Sequence, residues 1–309
     1  MKTALIDADS IIHIVSYHNA LPEHMVAMAK EMNPTPEKET FLMLFPPKVE
    51  TPEDIDILME LYKTKDTAAI EAHVGQFIND ILNAVGATHY LGFVGDRKGS
   101  DTFRHKLAVT KPYKGQRKSS PHWVKYWKPI IIEYMVREWG FIELSNIEAD
   151  DACAICQTHL PDTIICSPDK DLKQVPGNHY DYKKVEFTTI SEVEAAQRLY
   201  IQILTGDSTD NISGCPGVGE KSPYVDAIKL CEREGEMSGI ALDAYTKKKC
   251  IDIYQEQFVL IYMLRDLTEE ALADLKKVPT PIERKPFGII TEITAEEVVT
   301  PIINFTFNQ

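Results

Sequence analysis

Short apolar runs alternate with helix-period stretches over the first 190 residues of the chain. Residues 3–7, TALID, are apolar up to a closing acid and read as a buried strand, and SIIHIV from Ser10 then suits a helix. HYLGFVG at 89–95 reads as a second strand, with Asp96 directly after it. Residues 129–139 read as a helix, FIEL from Phe141 as a strand, 147–160 as a helix, TIIC at 163–166 as a strand and 180–185 as a further strand. Strands alternating with helices predict an α/β fold, a mainly parallel sheet flanked by helices on both faces. From residue 191 the pattern becomes helical: SEVEAAQRLYIQILTG, a glycine-rich turn, a second helix from about 220 and a third over 251–265. The expected organisation is an α/β core over 1–190, a smaller helical domain over 191–265 and an extension over 266–309 of unknown role. Residues 17–65, rich in Met, Pro and Glu, read as an insertion after the first helix.

Acids fall where such a fold gathers ligands. In parallel sheets these bind outside the carboxyl ends of the strands. Asp7, Asp96, Asp169 and Asp171 stand at or just past predicted strand ends, and Glu148, Asp150 and Asp151 open a helix that follows a strand. Asp207 and Asp210 are spaced to share a helix face, as are Glu148 and Asp151. These nine carboxylates suit Mg²⁺, a hard cation that prefers oxygen ligands, with Mn²⁺ as a substitute. Two such ions close together can activate a water and stabilise a leaving oxygen in phosphodiester hydrolysis. Directly after Asp210, the segment GCPGVGEK at 214–221 carries glycines that permit close backbone approach to a phosphate, and Lys221 adds charge there.

Charge changes the picture only through its distribution. The net charge of −14 argues against a nucleic-acid partner as an average. Residues 97–128, however, hold ten Lys or Arg against a single acid, Asp101, a local charge of +9. Phe103, Tyr113, Trp123, Tyr126 and Trp127 are interleaved with those cations, a mixture that holds single-stranded nucleic acid by charge and stacking. The composition, 44% hydrophobic and 26% charged, is that of a soluble globular protein. No apolar run is long enough to span a membrane. Asp7 and Asp9 interrupt the N-terminal apolar run, which makes it a poor signal peptide. The six cysteines are read as free thiols of a reducing, cytoplasmic compartment, and Cys153 and Cys156 as a buried pair one helical turn apart rather than a zinc site.

In order and in combination, LIDAD (5–9), FR (103–104), YKGQR (113–117), EADD (148–151), DKDL (169–172) and GDSTDNISGCPGVGEK (206–221) resemble the flap endonuclease and 5′-3′ exonuclease superfamily. The likeness is greatest to bacteriophage 5′-nucleases and to the 5′-nuclease domain of bacterial DNA polymerase I, and runs over residues 3–265. It implies a PIN-like nuclease core with a helix-hairpin-helix domain, and a basic arch over 97–128. Asp7, Asp96, Glu148, Asp150 and Asp151 would surround one ion, and Asp169, Asp171, Asp207 and Asp210 a second. Lys114 and Arg117 would act on the scissile phosphate, Arg104 on a nearby phosphate, and Tyr113 on the DNA. Gly214, Gly217, Val218, Gly219 and Lys221 would grip duplex, with K⁺ at the hairpin. The implied partner is DNA with 5′ flaps, nicks, gaps or duplex ends, or an RNA–DNA hybrid, met by a monomer. Ser213 and Cys215 depart from the family's usual hairpin residues.

Two rivals give fewer residues a task. A haloacid-dehalogenase-type phosphohydrolase would use Asp7 as nucleophile, but Ser10 and Ile11 stand where it wants Gly-Thr, and it leaves EADD and YKGQR unexplained. A non-catalytic DNA-structure-binding protein would not need nine intact acids.

Overall fold

Both faces of strand β1 (Thr3–Asp7) are buried, which is why every position in it but the last is free of charge. The computed structural model describes residues 2–31, 35–49, 51–95, 97, 102–267, 280–281 and 290–292. Around β1 lie β2 (His89–Gly95), β3 (Ile142–Ser145), β4 (Thr163–Cys166), β5 (Gly177–Asp181) and β6 (Glu186–Ile190), with the short β7 (Thr280–Pro281) and β8 (Ile290–Glu292) added from the C-terminal extension. The order across the sheet is β6-β5-β4-β1-β2-β3-β8, with β7 on β2. All neighbours are parallel except β5 with β6 and β2 with β7. The α/β sheet expected from the alternation is present. Its order reverses at β1, since β2 and β3 continue to one side and β4 and β5 to the other.

Two apolar clusters cover the faces. On one, Ile6, Tyr90 and Ile164 meet α1 (Asp9–His18), α5 (Thr67–Val85) and α7 (His122–Trp139). The insertion contributes α2 (His24–Lys30), α3 (Pro36–Leu44) and α4 (Pro52–Tyr62). It is anchored by Leu58 and Tyr62, both fully buried, and by the Leu21 amide donating to the Tyr62 hydroxyl at 2.8 Å. On the other face, Leu5 and Ile165 meet α6 (Phe103–Leu107) and α8 (Ala149–His159). The same cluster continues into α9 (Glu192–Thr205), α10 (Pro223–Lys229), α11 (Glu234–Lys247) and α12 (Tyr254–Ile261). Cys153 and Cys156 are buried in it. Among the described residues, no helix is long and apolar enough to cross a membrane.

Two expectations are corrected here. Helix α7 opens at His122, not at 129, and runs through Pro129. Val124, Trp127, Ile131, Ile132 and Met135 keep helical spacing on its buried side, and their burial outweighs the hydrogen bond the proline removes. The aromatic residues of 97–128 do not form a stacking surface. Phe103 and Trp127 are buried, Tyr126 stacks on Tyr62 with centroids 4.8 Å apart, and the Trp127 indole donates to the Asn19 carbonyl at 3.0 Å. They join α6 and α7 to the core instead.

Residues 207–212 form a closed turn rather than a helix. The Asp207 amide donates to the Ile212 carbonyl at 2.9 Å, and the Ile212 amide to the Asp207 carbonyl at 2.7 Å. The turn is seated by two glycines facing each other. Gly206 has φ 74° and Gly214 φ 67°. A Cβ on Gly206 would lie 2.4 Å from the Ile212 carbonyl oxygen, and one on Gly214 would lie 2.4 Å from the Gly206 nitrogen. Gly206→Ala should therefore cost about 1–3 kcal/mol in backbone strain and about 1–3 kcal/mol in overpacking. Urea unfolding is the check, and an unchanged midpoint would refute the close approach.

Candidate active site

The reversal of strand order sets two chain ends side by side. Asp7 closes β1 and Ser167 follows β4, and the Ser167 hydroxyl donates to Asp7 Oδ2 at 2.8 Å while accepting from the Asp169 amide at 3.0 Å. The Asp9 amide donates to Asp7 Oδ1 at 3.1 Å, and Asp9 Oδ1 accepts from the Gly95 amide at the end of β2 at 3.1 Å. The ends of three parallel strands thus meet at one edge, where Asp7, Asp9 and Asp169 are held through short contacts. Burial first, and then the neighbouring Asp9, pushes the Asp7 carboxyl up to about 7.

Helix α8 brings the next group. Glu148 is its N-cap and pairs with Asp151 in a capping box. Carboxylate oxygens of Glu148, Asp150 and Asp151 lie within 4.8 Å of one another. Such crowding needs a counter-charge, and Arg104 supplies one from α6. Its guanidinium is 1% exposed and donates to Asp151 at 2.6 and 2.7 Å and to Glu148 at 2.9 Å. Its remaining N–H groups go to the carbonyls of Leu260, at 3.1 Å, and Tyr262, at 2.9 Å. Asp151, fully buried, also accepts from the amides of Glu148 and Leu264.

The third group lies across the cavity. Asp169 Oδ1 accepts from the Asp171 amide at 2.9 Å, and Asp207 Oδ1 accepts from the Thr209 amide at 2.7 Å. One nitrogen, Gln202 Nε2 on α9, donates to Asp171 Oδ1 at 3.0 Å and to Asp207 Oδ2 at 3.1 Å. Burial and then Asp169 push Asp171 up to about 7. Burial, followed by Asp151 and Glu148, pushes Asp150 well above the usual carboxylate range.

The loop between α6 and α7 lies over both groups. Its backbone is tied down by the Lys114 amide donating to the Asp210 carbonyl at 2.9 Å, and by the Val109 and Thr110 amides donating to Glu256 at 2.7 Å. Lys114 has φ 54°, a conformation that favours glycine, and its ammonium meets Glu148. Arg117 donates to Asp210 at 2.6 Å. The Tyr113 hydroxyl lies 2.8 Å from both Glu148 Oε2 and Asp210 Oδ2, so its one hydrogen bridges the two groups. Burial opposes ionisation of Glu148, but Lys114 and Arg104 overcome it and hold this carboxyl down to about 2.

Two adjoining cavities result. One, of about 450 Å³, is lined by Asp7, Asp9, Glu148, Asp150 and Asp169 below Lys114 and Arg117. The other, of about 130 Å³, is lined by Asp150, Asp169, Asp171, Asp207 and Asp210. Asp150 and Asp169 wall both.

Comparison with known proteins gives this arrangement a family. Residues 56–203 match the family model of the 5′-3′ exonuclease, N-terminal resolvase-like domain. The chain is 31% identical over 182 residues to DNA polymerase I of Bacillus caldotenax, covering 53% of this chain and 20% of the polymerase. It is 30% identical over 246 residues to DNA polymerase I of Bacillus subtilis, covering 72% of this chain and 26% of the polymerase. Over residues 56–203, just under half of its length, the chain is thus similar to the 5′-3′ exonuclease family. It spans about a fifth to a quarter of the length of these two relatives. Among solved structures, a bacteriophage T5 flap endonuclease complexed with DNA and metal ions is similar at a TM-score of 0.43 and 14% identity, over 67% of this chain and 88% of that one.

Of the acids the sequence pointed to, Asp7, Glu148, Asp150, Asp169, Asp171, Asp207 and Asp210 line the two cavities. Asp96 lies outside the described residues. Lys114 and Arg117 stand over the acids, paired with Glu148 and Asp210. Asp151 stands with Glu148 and Asp150 in one group of close carboxylates, its oxygens accepting from Arg104 and from the Glu148 and Leu264 amides. Two other assignments change. Arg104 has no N–H left for a phosphate, because its five are spent on two carboxylates and two carbonyls. Tyr113 is 5% exposed and cannot stack on a base. The hairpin residues Gly217, Gly219 and Lys221 are exposed, Val218 and Gly214 are buried, and none of the five lines either cavity. The sequence reading missed Asp9, Ser167 and Gln202. Asp9 stood in the DAD run, and its place beside Asp7 was the available signal.

Two outcomes follow from these contacts. Arg104→Met leaves buried carboxylates without their counter-ion and should destabilise the fold by about 3–5 kcal/mol, measured by chemical denaturation. The second concerns pH. Asp7 and Asp171 rise from 3.8 to about 7 on folding, so between those values the folded chain holds protons that the unfolded chain has released. Their contribution to stability is therefore lost as pH climbs through that window. A divalent cation acts on the ionised forms, so the gain in Tm on adding Mg²⁺ to EDTA-stripped protein should be small at pH 5 and large at pH 8. A gain independent of pH would contradict it.

Proposed function

We propose that this protein is a divalent-metal-dependent nuclease that hydrolyses DNA phosphodiesters from the 5′ side, at flaps, nicks, gaps or duplex ends, and accepts RNA–DNA hybrids. The observation that carries this reading is the pair of adjoining acid-walled cavities sharing Asp150 and Asp169 beneath Lys114 and Arg117. Carboxylates from four chain segments supply most of their oxygen donors, and burial and mutual repulsion raise three of those carboxyls. That excess negative charge fits Mg²⁺, with Mn²⁺ as a substitute.

In this reading Asp7, Glu148, Asp150 and Asp169 would hold one ion, with Asp96 as a further ligand, and Asp171, Asp207 and Asp210 the second. When bound, such ions supply an activated water and a stabilised leaving oxygen. The chain's own groups do the rest. Lys114 and Arg117 already satisfy Glu148 and Asp210 and would turn to the phosphate once cations take over those carboxylates. Tyr113 on the loop and the buried Arg104–Asp151 pair hold the acids in place. The hairpin, with Gly217, Gly219 and Lys221 exposed, would hold duplex by its backbone and one cation, with K⁺ as the ion suited to such a turn. A monomer acting in replication, repair or recombination fits this reading.

The test is a flap substrate labelled separately at the two ends of one strand, with and without Mg²⁺. Release of the 5′ label as mononucleotide or short oligonucleotide is expected, abolished by EDTA and reduced by orders of magnitude in Asp150→Asn. Release of the 3′ label first, or full cleavage in EDTA, would overturn the proposal.

A further inference from the structure

Gln202 touches two carboxylates and yet carries no charge. Its Nε2 donates to Asp171 Oδ1 at 3.0 Å and to Asp207 Oδ2 at 3.1 Å, so both amide hydrogens are committed to acids from separate loops. Its Oε1 accepts from Gln174 Nε2 at 2.6 Å. The same Gln174 nitrogen donates to the Ile261 carbonyl at 3.2 Å. The Ile261 carbonyl can only accept, and this fixes the sense of the whole relay. Reversing the Gln202 amide would aim its oxygen at two carboxylates and its hydrogens at those of Gln174. Gln174 is 1% exposed and cannot turn to solvent instead. Among the described residues, Asp171 Oδ2 receives no hydrogen bond and stays available to the cavity.

Charge explains why an amide sits there. Two carboxylates side by side repel, and a lysine between them would hold them together by cancelling the charge a divalent ion needs. The amide donates to both and adds no charge between them; the lysine beside them, Lys170, is largely exposed, with its ammonium 3.7 Å from Asp207 Oδ2. We propose that Gln202 is a positioning residue for the second ion: it sets the spacing of Asp171 and Asp207 and leaves Asp171 Oδ2 to the cavity, while the Thr209 amide holds Asp207 Oδ1 from the other side. The inference rests on the two-ion reading given above and adds to it a residue outside the acid set.

Mn²⁺ titration of the full-length chain, followed by the electron paramagnetic resonance signal of free Mn²⁺, separates the two ions without any turnover. The wild type is expected to take up two. Gln202→Met keeps the length and removes both donors, and should weaken one site by about 10–100-fold while leaving the other within about twofold. Gln202→Asn keeps an amide of shorter reach and should weaken the same site by a smaller factor, which covers the case in which the Met variant melts early. Equal weakening of both sites would mark a merely structural role and overturn the proposal, as would two unchanged sites. A wild type that binds one ion or none would sink the two-ion reading itself, a result distinct from two sites indifferent to residue 202.

Discussion

Carboxylates brought out of water toward one another resist being brought there, and the architecture around this site is a set of answers to that resistance. The most consequential is the buried Arg104, whose fork spans Asp151 and reaches Glu148 while two main-chain carbonyls take its remaining hydrogens. A guanidinium suits this place because it is planar, always charged and able to serve four acceptors without moving. With Arg104 in position, Asp151 closes the first turn of α8, Glu148 is drawn into reach of Lys114 and Tyr113, and Asp150 is left toward the cavities. The cation therefore works behind the acids, and the face turned to the cavities stays negative.

Much of this was legible beforehand, for identifiable reasons. Strands buried on both faces read as continuous apolar runs, so β1, β2 and β4 were found, and the acids at their ends followed from the geometry of parallel sheets. The family motifs then tied Lys114 and Arg117 to those acids. Other elements escaped. Helix α5 carries apolar residues at helical spacing between an Asp66 cap and a left-handed Gly86, a signal that went unread. Helix α7 is read from the sequence only over 129–139, although its buried face continues N-terminally through Trp127 and Val124 to His122. Arg104 and Tyr113 are assigned to the ligand through the FR and YKGQR motifs of the resemblance. Nothing in a linear sequence says which of its cations point inward. Gln202 was invisible for a related reason, since its partners Asp171 and Asp207 lie in separate loops and the amide has meaning only between them.

The lysine and arginine over the cavities have two sets of partners open to them. In this structure Lys114 and Arg117 neutralise Glu148 and Asp210, and a non-glycine residue holds a left-handed backbone to do so. The same side chains can compensate a phosphate once the acids are compensated otherwise. The loop is thus placed by the acids themselves, before any substrate is present.

The segment Leu260–Leu264 gives the chain's connectivity a further meaning. Its carbonyls receive Arg104 from one side and Gln174 from the other, and its Leu264 amide reaches Asp151. The stretch from Asp207 to Leu260 therefore leaves the acid-bearing edge and comes back to it, a closed excursion with both feet in the same place. A boundary drawn after α9, where the sheet and its covering helices seem complete to the eye, would detach Asp207 and Asp210 together with the backbone that seats the buried guanidinium. In this fold the hairpin-bearing helices are a clasp on the site, and the smallest unit able to assemble it extends to residue 264.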